Sequence, residues 1–264
     1  MTIAPALIPK TQRFLELLYV LTARNLKVRY RGSLLGVYWS LLNPVIMTGV
    51  YTAVFGTTFA AYYDNSVVNY VLAAFTGLVV ISFFNSTTAQ ALPSVVRNGT
   101  LLNKIRLPIG VLPLSMVMAN VFQFMVGAFP LLAIITLWVS GNPFHVLLLL
   151  LPVLALVIVT TGVSYILSGL YVFFRDLPYL YELVTFILLI SSPVFYPAEI
   201  VPPLVQPFLA LNPLSPIIES IRQLALKGET DLNQIGAAWV GSLVIAGLGW
   251  VAFRSWYDQF MDLL

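Results

Sequence analysis

From Leu34 to Tyr63 the chain carries no charged side chain, and five further long apolar runs follow it. A run of that kind cannot form the half-polar surface of a water-facing fold. About 20 consecutive apolar residues suffice to cross a bilayer as a helix. The 264 residues therefore hold roughly six crossings with little left over. The composition agrees, with 59% of residues hydrophobic and only 9% charged. A soluble domain carries about 25% charge. Mean hydropathy is +0.93. These values exclude a soluble enzyme domain, a disordered chain and a coiled coil. They predict an all-α integral membrane protein, one domain over 1–264 with no room for a fused ATPase.

The expected spans are Leu35–Phe59, Tyr70–Leu92, Val111–Val139, Phe144–Phe174, Tyr179–Val194 and Ile235–Phe253. Pro130 lies inside the third and predicts a kink there. No internal repeat stands out. Ahead of the first span, residues 1–33 read as an interface region. Phe14, Leu17, Leu18, Leu21, Asn25 and Val28 fall near one helical face, with Arg13, Glu16, Arg24, Lys27 and Arg31 mostly on another. That pattern predicts an amphipathic helix lying at a membrane surface. Glu16 interrupts the apolar stretch, which argues against a signal peptide.

The basic residues fix the orientation. Lys10, Arg13, Arg24, Lys27, Arg29 and Arg31 precede span one; Arg97, Lys104 and Arg106 lie between spans two and three; Arg175 follows span four and Arg254 follows span six. With six spans and both termini in the cytoplasm, these eleven of the thirteen Lys and Arg residues face inward, as the positive-inside rule requires. The stretch from Tyr196 to Gln234 is too long for a hairpin and rich in proline. Two short helices joined at Asn212-Pro213 are expected there, the second ending at Lys227-Gly228. Irregular backbone at membrane depth must be satisfied by protein or a water-filled path, so this stretch is a candidate gate.

Catalytic chemistry is missing. There is no cysteine and a single histidine, His145, so thiolate sites, disulfides and histidine clusters are excluded. No phosphate-cradling glycine loop occurs. The spans hold almost no ionisable residues of the kind ion-coupled carriers use. Aromatic residues are abundant instead. Tyr51, Phe55 and Phe59 recur at helical spacing toward the far end of span one, followed by Tyr62, with Trp39 at its entry. Such faces can stack on sugar rings, although aromatic residues at span ends commonly serve as interfacial anchors or packing.

Several blocks resemble a known family. Arg29-Tyr-Arg-Gly-Ser-Leu-Leu-Gly36 with Trp39 and Leu42-Asn-Pro44 is similar to the entry of the first span in ABC-2 type permeases that export polysaccharides. Asn98-Gly-Thr-Leu-Leu-Asn-Lys-Ile-Arg-Leu-Pro108 resembles their loop before span three. Phe174-Arg-Asp176, Ser192-Pro-Val194 with Tyr196, and Asn212-Pro213 with Glu219 and Arg222 follow in the family's order. The nearest group is the permeases of O-antigen, capsule and teichoic-acid exporters.

The resemblance implies a homodimer of permease chains paired with two separate ABC ATPase subunits, moving a lipid-linked polysaccharide through the bacterial cytoplasmic (inner) membrane. It implies no cofactor on this chain, ATP and Mg being held by the ATPase, and no nucleic-acid partner. It places ATPase coupling at Arg97, Asn98, Lys104, Arg106, Arg175 and Asp176, and an interface helix around Arg13, Arg24, Lys27 and Arg31. The path falls along Trp39, Tyr51, Phe55, Phe59 and Tyr62, and the outer gate at Pro197, Asn212, Pro213, Glu219 and Arg222. The competing readings are an ABC-2 permease for a small lipid or drug and a membrane-embedded lipid-sugar transferase.

Overall fold

The computed structural model describes residues 10–102, 107–196, 200–204, 206 and 212–263. Every regular element among them is helical. Helix α1 (Lys10–Arg29) precedes a 3-10 turn, Gly36–Tyr38, that leads into α2 (Trp39–Phe59), closed by a second such turn at Ala60–Tyr62. Then come α3 (Val67–Ala91), the short α4 (Ser94–Arg97) and α5 (Gly99–Leu102), α6 (Val111–Val126), α7 (Ala128–Ser140) and α8 (Pro143–Leu148). The long α9 (Leu150–Phe173) is followed by α10 (Leu177–Ser191) and α11 (Ser215–Arg222), which continues as a π-helical turn over Gln223–Lys227. The chain ends in α12 (Leu232–Ser255) and α13 (Tyr257–Leu263).

Local chemistry sets several boundaries. Ser66 caps α3 by accepting from the Asn69 amide at 3.3 Å. Asp231 caps α12, accepting from Asn233 N at 2.8 Å and Gln234 N at 3.3 Å. Each satisfies amides that the first helical turn leaves without a partner. Gly228 takes φ +62 to stop the π turn, a conformation open to glycine at little cost.

Among the described residues, four helices are long and apolar enough to cross a bilayer: Gly36–Tyr62, Val67–Ala91, Pro143–Phe173 and Leu232–Ser255. The pair α6 and α7 forms a fifth if a 42° bend is counted within one span. The bend is centred on Gly127 and not on Pro130 as the sequence suggested. Proline has no N–H for the carbonyl four residues earlier, so the ladder opens one turn ahead of it. Pro152 stands in the same relation to the break at Leu149 between α8 and α9.

Helix α10 departs further from expectation. It ends at Ser191, short of Val194, because Pro193 forces Ser192 into an extended conformation (φ −86, ψ 133). The helix has 15 residues. At the α-helical rise that length covers about 22 Å. The hydrocarbon core of a bilayer is roughly 30 Å thick. Of the two helices expected between Tyr196 and Gln234, the second is α11. Most of the first, including Pro197, lies outside the described residues.

Helix α3 runs through the middle, buried on nearly all sides from Tyr70 to Ala91 against α2, α6, α9 and α11. Helices α9 and α12 make the closest crossing. A Cβ on Gly162 would lie 2.6 Å from Ala246 Cα, and one on Gly249 would strike the Gly162 carbonyl. In lipid, apolar side chains gain little by leaving solvent, so close backbone approach and polar contacts hold helices together. The outer faces are apolar: Tyr179, Leu183, Phe186 and Ile187 on α10 all stand exposed.

Candidate functional site

The basic end of the bundle is tied together by apolar packing and by hydrogen bonds that end on neutral side chains. Phe14, Leu17, Leu18 and Leu21 of α1 pack on a cluster containing Ile109 and Leu112. Beside that seam Asn25 donates to Ser115 Oγ at 3.0 Å. Arg29 gives one nitrogen to both Asn120 Oδ1 (3.1 Å) and Gln123 Oε1 (2.5 Å) on α6. Asn120 in turn donates to Gln90 on α3 at 3.3 Å. Arg13, Lys27 and Arg31 are exposed, as the amphipathic pattern required, but Val28 is exposed too and not on the packed face.

The expected coupling residues divide. Arg97 is exposed. Asn98 is buried, accepting from Arg24 at 3.0 Å and donating to the Ser94 carbonyl at 2.8 Å, so its side chain braces the corner from within. Lys104 and Arg106 lie outside the described residues. Arg175 and Asp176 are both exposed. Arg175 rests over the Tyr171 ring at 5.5 Å. Among the described residues the ion pair is Arg222 with Glu219, and Arg175 with Asp176 is not one.

The aromatic residues of α2 do form a ladder. Tyr51 and Phe55 stack at 6.3 Å, Phe55 and Phe59 at 5.8 Å, with interplanar angles of 15° and 22°. The ladder is anchored inside the same chain. Tyr51 lies on Phe195 at 3.6 Å, and Phe59 leans on Tyr70, whose hydroxyl donates to the Phe195 carbonyl at 3.0 Å. Trp39 and Tyr62 stand at either end, both more than half exposed.

At the ladder's foot, side chains hold the non-helical stretch after α10. Asn212 donates to Ser192 Oγ at 2.8 Å and to Ser191 Oγ at 3.3 Å, and accepts from the Leu214 amide at 3.0 Å. Pro213 is half-buried beside it. Arg222 is buried, 7% exposed, and donates to the carbonyls of Pro193 (2.8 Å) and Ala73 (3.3 Å). Glu219 supplies the counter-charge at 3.6 Å. A buried cation needs that combination of pairing and hydrogen bonds.

Sequence reasoning missed a cavity of about 320 Å³ between α1, α2, α3 and α6. Ser40, Asn43, Ser82, Ser86, Gln90 and Gln123 line it together with Arg29. The available signal was the pair Asn120 and Gln123 in a helix that is apolar apart from them and Ser115, one turn apart and therefore on one face. Tyr30 also borders the cavity; burial raises its phenol above the usual range, and the adjacent Arg29 opposes that shift.

With this architecture in place, similarity to known proteins decides the family. The profile of ABC-2 type transporters matches residues 16–226. The chain belongs to that family. Among its relatives, two O-antigen export system permease proteins named RfbA from Klebsiella pneumoniae are each 30% identical, covering 94% of this chain and 95% of the relative. A third RfbA, from Myxococcus xanthus, is 29% identical over 97% of this chain and 98% of its own length. This ABC-2 permease thus matches those proteins nearly from end to end, and the polar ties, aromatic ladder and Arg222 cluster are features of a multi-pass transport permease.

Proposed function

We propose that this chain is the transmembrane subunit of an ABC exporter that moves lipid-linked O-antigen across the inner membrane. The observation that carries the reading is the near-complete coverage between this chain and the O-antigen permeases. Two copies assemble around the conduit and each takes one ATPase subunit. Each copy crosses six times with both termini in the cytoplasm, α10 being the short fifth crossing. Helix α1 and the exposed Arg97 face the ATPase, joined by Lys104, Arg106 and the Arg175-Asp176 corner. The ladder from Tyr51 to Phe59 borders the conduit with Trp39 and Tyr62 at its ends. The segment from Pro197 to Arg222, held by Asn212, Pro213 and Glu219, closes its outer side.

Each part has a physical rationale. A polar polymer stalls wherever it is held tightly, and stacked rings offer weak repeated contacts without fixed charge. Nucleotide chemistry on a separate subunit accounts for a permease whose sequence lacks a phosphate-cradling loop.

Removing the chain from its host tests the proposal. O-antigen should vanish from the cell surface and accumulate inside on its lipid carrier, and the wild-type chain should restore it. Surface O-antigen at the normal level in the deletion strain would exclude the reading. In membranes containing the partner ATPase, Arg97→Glu should lower export-coupled ATP turnover while the protein remains inserted, because charge reversal at a docking surface opposes association.

A further inference from the structure

We propose that the cavity between α1, α2, α3 and α6 binds the phosphate-bearing headgroup of the carrier lipid, with Arg29 as its counter-charge. The proposal rests on the export reading for the identity of the lipid, and on the cavity itself for the chemistry.

The first support is an imbalance of charge. Arg29 is partly buried and its hydrogen bonds go to the amide oxygens of Asn120 and Gln123, both neutral. Among the described residues, no Asp or Glu borders the cavity. Contrast Arg222, a second guanidinium within the bundle, which has Glu219 at 3.6 Å. A guanidinium withdrawn from water binds phosphate oxygens with short, charge-assisted bonds. Here the amides hold it in position while leaving its charge uncompensated. Asn120 is itself only 3% exposed and bonded on to Gln90, so the cation is mounted on a fixed support.

The second support is the character of the remaining wall. Ser40, Asn43, Ser82 and Ser86 offer neutral donors and acceptors, suited to hydroxyls beside a phosphate. The volume, about 320 Å³, falls at the lower end of the range for small-molecule pockets and accommodates a headgroup, not a polymer. Trp39, exposed at the start of α2, stands at the rim where a lipid tail would remain in the bilayer.

The third support is the approach. A second cavity of about 550 Å³ shares Arg29 and Gln90 with the first and adds Arg24 and Arg97. Among the described residues its wall also has no acidic side chain. Three guanidiniums without a carboxylate make a positive vestibule that raises the local concentration of anions.

The test uses the full chain in lipid nanodiscs, with binding measured by calorimetry and empty nanodiscs subtracted. The probe is farnesyl pyrophosphate; inorganic pyrophosphate and farnesol are the comparison arms. Farnesyl pyrophosphate should bind at least tenfold more tightly than either. Arg29→Gln should weaken its binding at least tenfold, and Arg29→Lys should retain most of it. Ser86→Leu narrows the cavity while leaving Arg29 and its amide partners untouched, and should weaken binding as well; it carries the test if Arg29→Gln does not fold. Inorganic pyrophosphate binding as tightly as the lipid probe would overturn the lipid assignment, and farnesol doing so would overturn the counter-charge. Unchanged affinity in folded Arg29→Gln or in folded Ser86→Leu would overturn the site. Binding needs neither ATP nor the ATPase. A chain that binds the probe yet exports no O-antigen therefore removes the export reading alone, and export without probe binding removes this one alone.

Discussion

Arg222 donates to the carbonyl of Pro193 at 2.8 Å and so satisfies a backbone acceptor in the non-helical stretch just past the end of α10. The same side chain reaches Ala73 on α3, which makes it a bridge between the non-helical stretch after α10 and the central helix. Arg222→Leu removes the bridge and leaves both carbonyls and Glu219 without it. Breaking a buried pair in this way typically costs about 3–5 kcal/mol. The purified variant should melt well below the parent in tryptophan-fluorescence unfolding, and Arg222→Lys should fall between them because an ammonium lacks the guanidinium's fork. A Leu variant melting with the parent would remove the bridge from the stability of the bundle.

The crossing of α9 and α12 gives a sharper contrast. Gly249 has the Gly162 backbone against it, whereas a methyl placed on Gly236 of the same helix would meet nothing within 4 Å. Gly249→Leu should abolish the folded protein, since backbone cannot yield as a flexible side chain can. Gly236→Ala should leave membrane abundance at the parental level. Measuring both by size-exclusion of the detergent-extracted protein checks the pair; equal recovery of the two would contradict the crossing.

For the aromatic ladder the structure refines which substitution is informative. Tyr51 packs on Phe195, so its removal affects folding as well as any path. Tyr51 is partly buried, so its truncation costs a fraction of the about 3–5 kcal/mol of a fully buried aromatic. Phe55 contacts only its two ladder neighbours among the ring pairs of the described residues. Phe55→Ala should therefore reduce O-antigen export several-fold with abundance and ATP turnover unchanged. Full export at normal abundance would take this ring out of the path.

Topology can be read by labelling, because the chain has no cysteine of its own. Single cysteines at Asn65 and Asn142, both exposed, should react with an impermeant thiol reagent from outside the cell. One at Thr100, exposed on α5 at the basic end, should not. Asn98, a natural choice from sequence, is buried and unsuitable. Labelling of Thr100→Cys in intact cells would reverse the orientation.

How much of this was visible in the residues depends on range. The charge-free runs located α2, α3, the α8–α9 pair and α12 within a few residues, because apolar length is a local property. Proline positions were seen, but their effect falls earlier in the chain, which moved the bend to Gly127 and shortened α10. Arg222 looked like part of an outer loop; its carbonyl partners are 29 and 149 residues away and leave no mark on the local pattern. Arg29 looked like one more flanking cation for the same reason, since Asn120 and Gln123 become its neighbours only when α1 lies along α6.

The glycine contact between α9 and α12 has a mechanical consequence. Interfaces built from side chains can shift by exchanging rotamers, whereas two backbones in direct touch have nothing to exchange. The two helices must turn as one lever. The ladder of α2 is different: its rings meet one another and Phe195 through side chains, which can exchange rotamers.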